Sequence, residues 1–236
     1  MTTWKPTALE ILQGMCVVTD DILPKSCDAL FLHGPPFRDD ELDISFLVYA
    51  AEQFQSRENR RAINWLVVNG LDKTVSRKIN CAYIGHEMWE RILMDQGVSQ
   101  QNILRIPASA HTAKESLNLL ELAKERAREN VVIMGHRIHQ LRCFLTIIKL
   151  MDVVGYHPNV YNLPMSGMPL TRRGKRLVIK GSTTAQGDIE DDSIGLAKTE
   201  LERIALYAQP VNADGTGHRL QTATIPEMLD YVRKRS

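Results

Sequence analysis

The 236 residues include only four cysteines, Cys16, Cys27, Cys81 and Cys143, and no two of them share a CxxC or other short spacing. Neither a zinc knuckle nor a disulfide framework can be built from such dispersed thiols, which leaves reduced, mostly buried cysteines as the expectation. Charge of one sign is lacking too. With 29 basic and 28 acidic residues the net charge is +1, so no global field favours nucleic acid, and a nucleic-acid partner is not expected. No apolar run reaches the roughly 18 residues that a membrane span requires. The opening Met1-Thr2-Thr3-Trp4-Lys5-Pro6 lacks a basic segment followed by an apolar one, so the expectation is a soluble, cytoplasmic chain without a membrane partner. Also missing are a GxGxxG after the first strand, a GxxxxGK[ST] loop and a GxSxG elbow. Their absence disfavours a nicotinamide dehydrogenase, a P-loop ATPase and an α/β-hydrolase. There is no internal repeat and no low-complexity tract.

What is present is alternation. A packing helix is expected from Thr7 to about Thr19 behind Pro6, with Ala8, Leu9, Ile11, Leu12, Met15 and Cys16 at helical spacing. Asp28 to His33 then reads as a strand broken by Gly34-Pro35-Pro36, with a helix from about Asp39 through Phe54. Ile63 to Val68 is a second strand, stopped by Asn69-Gly70, and a helix is expected from about Asn80 to Asp95. Asn102 to Ile106 is a third strand, and a long helix follows from about Thr112 to Arg128. Val131 to Met134 is a fourth strand running into a helix from about Arg137 to Val153, and Asn159 to Leu163 is a candidate fifth strand. Strands alternating with helices at this spacing imply an α/β fold with a mainly parallel sheet wound by right-handed crossovers. Beyond Pro164 the texture changes to a basic run, Thr171 to Arg176, and an acidic run, Asp188 to Asp192. These read as solvated loop, or as a flap over the site, before helices at about Ile194 to Ala208 and Pro226 to Arg235. The expected organisation is a packing helix in 1–27, an α/β domain in 28–163, and a small helical C-terminal extension in 164–236 that packs on the same domain.

In a parallel sheet the carboxyl ends of the strands share one edge, and ligands bind there. The first end carries His33, Gly34 and Arg38, the second Asn69 and Gly70. The third carries His111, Thr112 and Glu115, the fourth Gly135, His136, His139 and Arg142. Gly34 and Gly70 suit a close approach of backbone to ligand, and the exposed N–H groups of the following helix starts favour an anion. His139 and Arg142, three apart near a helix start, are expected on one face, where the helix dipole disfavours a cation unless an anionic ligand is present. Thr112-Ala113-Lys114-Glu115 also reads as a capping box. His136, His139 and His111 match no recognised zinc spacing such as HExxH, so no metal is expected. The candidate ligand-binding residues are therefore His33, Gly34, Arg38, Asn69, Gly70, Thr112, Gly135 and Arg142. If there is turnover, His139 is the acid/base candidate and Glu115 its orienting partner.

These elements, in this order, resemble the YdcF/SanA/ElyC family over about Asp28 to Leu163, with a weaker echo in Glu200 to Tyr207. The resemblance is carried by Leu32-His33-Gly34 with Arg38, by Val68-Asn69-Gly70, and by Glu87 ahead of Gly97-Val98. Thr112 with Glu115, and His139 with Arg142, complete it. The chain departs from the family pattern in Pro35-Pro36, where a Gly-rich turn is usual, and in Asn-Gly where a Ser-Gly-Gly type of turn is usual. The resemblance implies a Rossmann-like three-layer sandwich and, as candidate ligands, S-adenosylmethionine or another nucleotide-like molecule. Other members act in cell-envelope maintenance. An anion-binding protein is thus the leading expectation. An enzyme acting through His139 on a phosphorylated or nucleotide substrate, and a non-catalytic scaffolding protein, are the alternatives.

Overall fold

A computed structural model describes residues 6–34, 40–56, 62–78, 83–163, 165, 170–173, 176–179, 183–184, 187–188, 202–205, 207 and 222–235. The chain enters through α1 (Ala8–Thr19), whose start is a true capping box: Thr7 Oγ1 accepts the Glu10 N–H at 3.2 Å and Glu10 accepts the Thr7 N–H at 2.7 Å. Then follow β1 (Ser26–Leu32), α2 (Asp40–Gln55), β2 (Ala62–Asn69), α3 (Lys73–Lys78), α4 (His86–Asp95) and β3 (Ile103–Ile106). After these come α5 (Thr112–Glu125), β4 (Asn130–Met134), α6 (Arg137–Val154) and β5 (Asn159–Asn162). The five strands form one parallel sheet in the order β3-β2-β1-β4-β5. The chain winds outward from β1 to β2 and β3, then crosses back to β4 on the other side of β1. The strand order therefore reverses between β1 and β4, which is the topological switch point of a Rossmann-like three-layer sandwich.

The pleat assigns the two faces. Leu30, Leu32, Leu66, Val68, Val132 and Met134 pack with Phe46 and Leu47 of α2 and Trp89 and Leu93 of α4. Their strand neighbours Ala29, Phe31, Val67, Val131 and Ile133 pack on the opposite side with Leu119 and Leu120 of α5 and Phe144 and Leu145 of α6. With both faces covered, the strands are nearly continuously apolar. Val18 of α1, Ile204, and Ile225 and Met228 of the C-terminal helix (Ile225–Lys234) join this second layer. That helix also begins with a capping box, Thr224 with Glu227. No helix among the described residues is long and apolar enough to cross a membrane.

Two expectations change. The helix expected from about Asn80 to Asp95 starts only at His86, as α4, and a short helix not expected, α3, precedes it; residues 79–82 lie outside the described set. Gly85, at φ 102°, precedes α4, and a Cβ there would lie 2.7 Å from the Lys73 backbone nitrogen, so the chain turns where periodicity suggested continuity. The basic run is not a simple solvated loop: Leu170–Arg173 pairs antiparallel with Arg176–Ile179, and Thr183–Thr184 pairs with Gly187–Asp188. Two runs containing β-branched residues, separated in sequence by Gly174-Lys175, are a hairpin signal that the charge pattern obscured. The acidic run beyond Asp188 lies outside the described residues. Of the helix expected at about Ile194 to Ala208, residues 202–205 and 207 are described and helical.

Candidate functional site

Three of the candidate groups continue the pleat of their strands onto the face covered by α5 and α6. His33 follows Phe31 by two residues, Asn69 follows Val67, and Gly135 follows Ile133. The His33 N–H donates to Met134 O at 2.9 Å, so the first residue after β1 is stitched to β4 at the switch point. Its ring is fully buried, 4.6 Å from the Phe31 ring and 6.3 Å from the His139 ring, edge-on to both.

His33 Nδ1 lies 3.3 Å from Glu115 Oε2, and Asn69 Nδ2 donates to Glu115 Oε1 at 2.7 Å. Burial by itself pushes the Glu115 carboxyl up. The His33 contact and the Asn69 donor outweigh that and hold it below its usual range, so it is ionised at neutral pH. A carboxylate only accepts, hence His33 Nδ1 carries the hydrogen of this contact. Among the described residues His33 Nε2 is buried without a hydrogen-bond partner, which in a core costs about 1–3 kcal/mol. Gly34 passes close by; a Cβ on it would stand 3.1 Å from Glu115 Oε1.

The second group joins α5 to α6. Arg142 donates through Nη1 to Thr112 Oγ1 at 3.1 Å and lies with Nη2 2.9 Å from His139 Nδ1, while His139 Nε2 is 3.2 Å from Thr112 Oγ1. A guanidinium has no acceptor, so His139 Nδ1 must accept and Nε2 carries the hydrogen. Thr112 then accepts two hydrogen bonds, and its own hydroxyl hydrogen remains to be donated. The Arg142 guanidinium carbon is 5.8 Å from the centre of the Tyr207 ring, which brings the C-terminal segment to the same edge.

The structure brings together His33, Gly34, Asn69, Glu115, Thr112, His139 and Arg142, but reassigns several of them. Thr112 is not a cap: it is the first residue of α5, His111 holds the cap position without a side-chain hydrogen bond, and the Thr112 hydroxyl faces α6. Asn69, expected to contact ligand, uses its whole side chain inside the protein. Nδ2 serves Glu115 and Ser109 O, and Oδ1 accepts the N–H groups of Leu71 and Ser109 at 3.1 and 3.0 Å. It positions Glu115 and the β3–α5 loop. Gly70 is required by packing rather than by a ligand, because a Cβ there would meet Ile106 O at 2.6 Å. His139, expected to act as acid/base, has both ring nitrogens engaged by Arg142 and Thr112. His111 is exposed, and His136 stacks on Phe46 at 5.0 Å on the other face of the sheet. Among the described residues no three His, Cys, Asp or Glu are grouped to hold a metal ion. Arg38 lies outside the described residues.

Sequence reasoning passed over Gln140, the residue after His139. It is fully buried, and its Nε2 donates to Ile133 O at 3.1 Å and to Asn162 Oδ1 at 2.9 Å. Asn162 in turn donates to Asp21, which pairs with Arg235. Among the described residues Gln140 Oε1 is buried without a hydrogen-bond partner, and it would lie 3.0 Å from a Cβ built on Gly135. The only advance signal was its place one step along a polar helix start. No protein-family model matches the chain, and a comparison with curated proteins gives no match.

Proposed function

We propose that this protein binds an anionic, nucleotide-like small molecule at the carboxyl edge of its sheet, at the β1/β4 switch point. The observation that carries the reading is the convergence there of the Arg142 guanidinium, a donatable Thr112 hydroxyl hydrogen and the starts of α5 and α6. Both helix starts add positive potential where backbone N–H groups have no intrahelical partner. The resemblance to the YdcF/SanA/ElyC family adds S-adenosylmethionine to the candidate ligands, and Cys27 and Cys143, buried as thiols rather than as disulfides, suit a reducing, cytoplasmic setting. An enzyme using His139 as acid/base draws no support from a ring engaged at both nitrogens. A purely scaffolding role explains the edge poorly, since neither Thr112 nor Glu115 caps its helix.

Thermal unfolding with AMP, S-adenosylmethionine and glucose tests the proposal. Either charged ligand at 100 times its Kd adds about 2.7 kcal/mol of stability, glucose adds none, and Arg142→Ala weakens binding about tenfold or more. Stabilisation by glucose alone, or by none of the three, rejects the anion site.

A further inference from the structure

We infer that Asp21, Tyr231 and Arg235 stand in for a sixth parallel strand and close the β5 edge of the sheet against pairing with β5 of a second copy of this chain. Among the described residues β5 is an outer strand. The Asn159 and Leu163 N–H groups turn inward, to Glu129 O at 2.7 Å and Ile133 O at 2.9 Å. Peptide groups alternate along a strand, so those of Val160 and Asn162 turn outward. An outer strand with such groups unpaired is a template for strand addition by another chain.

Side chains hold that edge instead. The Val160 N–H donates to the Tyr231 hydroxyl at 2.7 Å, and the same hydroxyl gives its hydrogen to Pro158 O at 2.8 Å. Arg235 Nη1 donates to Val160 O at 2.5 Å, while Asp21 Oδ2 accepts the Asn162 N–H at 2.8 Å. In a parallel ladder, the neighbour opposite Asn159 would donate to Pro158 O and accept from the Val160 N–H. The neighbour opposite Tyr161 would donate to Val160 O and accept from the Asn162 N–H. The hydroxyl performs the first exchange, and Asp21 and Arg235 together perform the second. Those two are joined by two guanidinium–carboxylate hydrogen bonds, and the guanidinium lies 4.1 Å from the centre of the Tyr161 ring. Packing alone does not call for this arrangement. The side chains of Asp21 and Arg235 are only 3% and 7% exposed, and apolar residues commonly stabilise a buried site as well as an ion pair does. An apolar cover, however, would leave Val160 O and the Asn162 N–H unpaired. Asp21 follows α1 and Arg235 ends the C-terminal helix, so the edge is closed only while both segments are docked.

Sedimentation velocity of the full chain over a range of concentrations compares the parent with Asp21→Leu/Tyr231→Phe/Arg235→Met, which keeps the cover and removes its polar groups. The variant self-associates at concentrations about tenfold or more below the parent, a shift that one exposed pair of backbone hydrogen bonds can supply. Adding Val160→Pro, which deletes one outward N–H, reverses the gain. Association equal to that of the parent, or a gain indifferent to Val160→Pro, overturns the inference. Should the triple variant fail to fold, amide hydrogen exchange of the parent and of Tyr231→Phe decides. In the parent the Val160 and Asn162 amides are protected as strongly as that of Leu163. Tyr231→Phe speeds Val160 exchange about tenfold and leaves Leu163 unchanged. Exchange of Val160 and Asn162 in the parent at the rate of unprotected amides overturns the closed edge.

Discussion

At the turn after β4, the two faces of the sheet receive the same residue type and treat it in opposite ways. His136 goes to the α2 face, where it stacks on Phe46 and burial pushes its pKa down to about 3. His139, three residues on, goes to the α5 face and joins Thr112 and Arg142. The α2 face is closed by large apolar rings, with Trp89 in contact with both Phe46 and Tyr83. The α5 face exchanges its apolar layer for a hydrogen-bonded one at the carboxyl ends of the strands. Within that layer a further difference matters: Asn69 is satisfied at every side-chain position, while among the described residues His33 Nε2 and Gln140 Oε1 are buried without a hydrogen-bond partner. Residue type therefore says little about role here. The accounting of partners separates scaffold from site.

If the α2 face is scaffold, its loss is felt in stability alone. Trp89→Ala, at a fully buried ring, lowers unfolding free energy by about 3–5 kcal/mol in urea titrations, with AMP affinity of the folded protein unchanged. A matching fall in affinity would show that the faces are coupled. On the other face, Glu115→Ala strands His33 Nδ1 and one of the two Asn69 Nδ2 hydrogens, the other keeping Ser109 O, and costs about 3 kcal/mol. Unlike Trp89→Ala it also weakens AMP binding, because Glu115 orients the Asn69 amide that holds the loop at the start of α5. An affinity equal to that of the parent would remove Glu115 from the site.

The comparison sharpens with pH. His136 has a folded pKa of about 3 against an ordinary value of 6.5, so its contribution to stability is fully present above pH 6.5 and is lost as pH falls. The slope is about 1.4 kcal/mol per pH unit, or roughly 2 kcal/mol between pH 6.5 and pH 5. Glu115, also depressed, adds its own loss only below its ordinary value of 4.5, as pH falls toward its folded value. Urea titrations at a series of pH values should show the first slope in the parent and lose it in His136→Phe; a slope that persists assigns the acid sensitivity elsewhere. The smallest effect concerns Thr112. Thr112→Val removes two hydrogen bonds and costs about 1 kcal/mol. Thr112→Asn, a good cap residue, does not recover it, whereas Thr224→Asn at a real cap is nearly neutral. Recovery by Thr112→Asn would restore the capping role that the geometry denies.

Three Thr-x-x-Glu segments show what could be read in advance. Thr7 with Glu10 and Thr224 with Glu227 are capping boxes, and Thr112 with Glu115 is not, although the local pattern is the same. At the first two positions the Thr hydroxyl has its own helix start to serve. At Thr112 the Arg142 fork and the His139 ring compete for it, and Glu115 is drawn instead to His33 and Asn69. Gly70 offers a similar lesson, since its need for a bare backbone comes from the Ile106 carbonyl of the neighbouring strand, which lies far along the chain.

Apolar periodicity, interrupted by Gly and Pro, was enough to place the alternating strands and helices, the parallel pairing and the edge on which polar residues gather. Those features depend on neighbours within a few residues and on the two-residue repeat of a strand. The switch point between β1 and β4, the opposite fates of His136 and His139, and the hydrogen bonding of Asn69, Glu115 and Gln140 were settled only in the folded chain. Each is decided by which groups from distant strands and helices meet in space, and hydrogen-bond satisfaction is a property of that meeting rather than of any one segment.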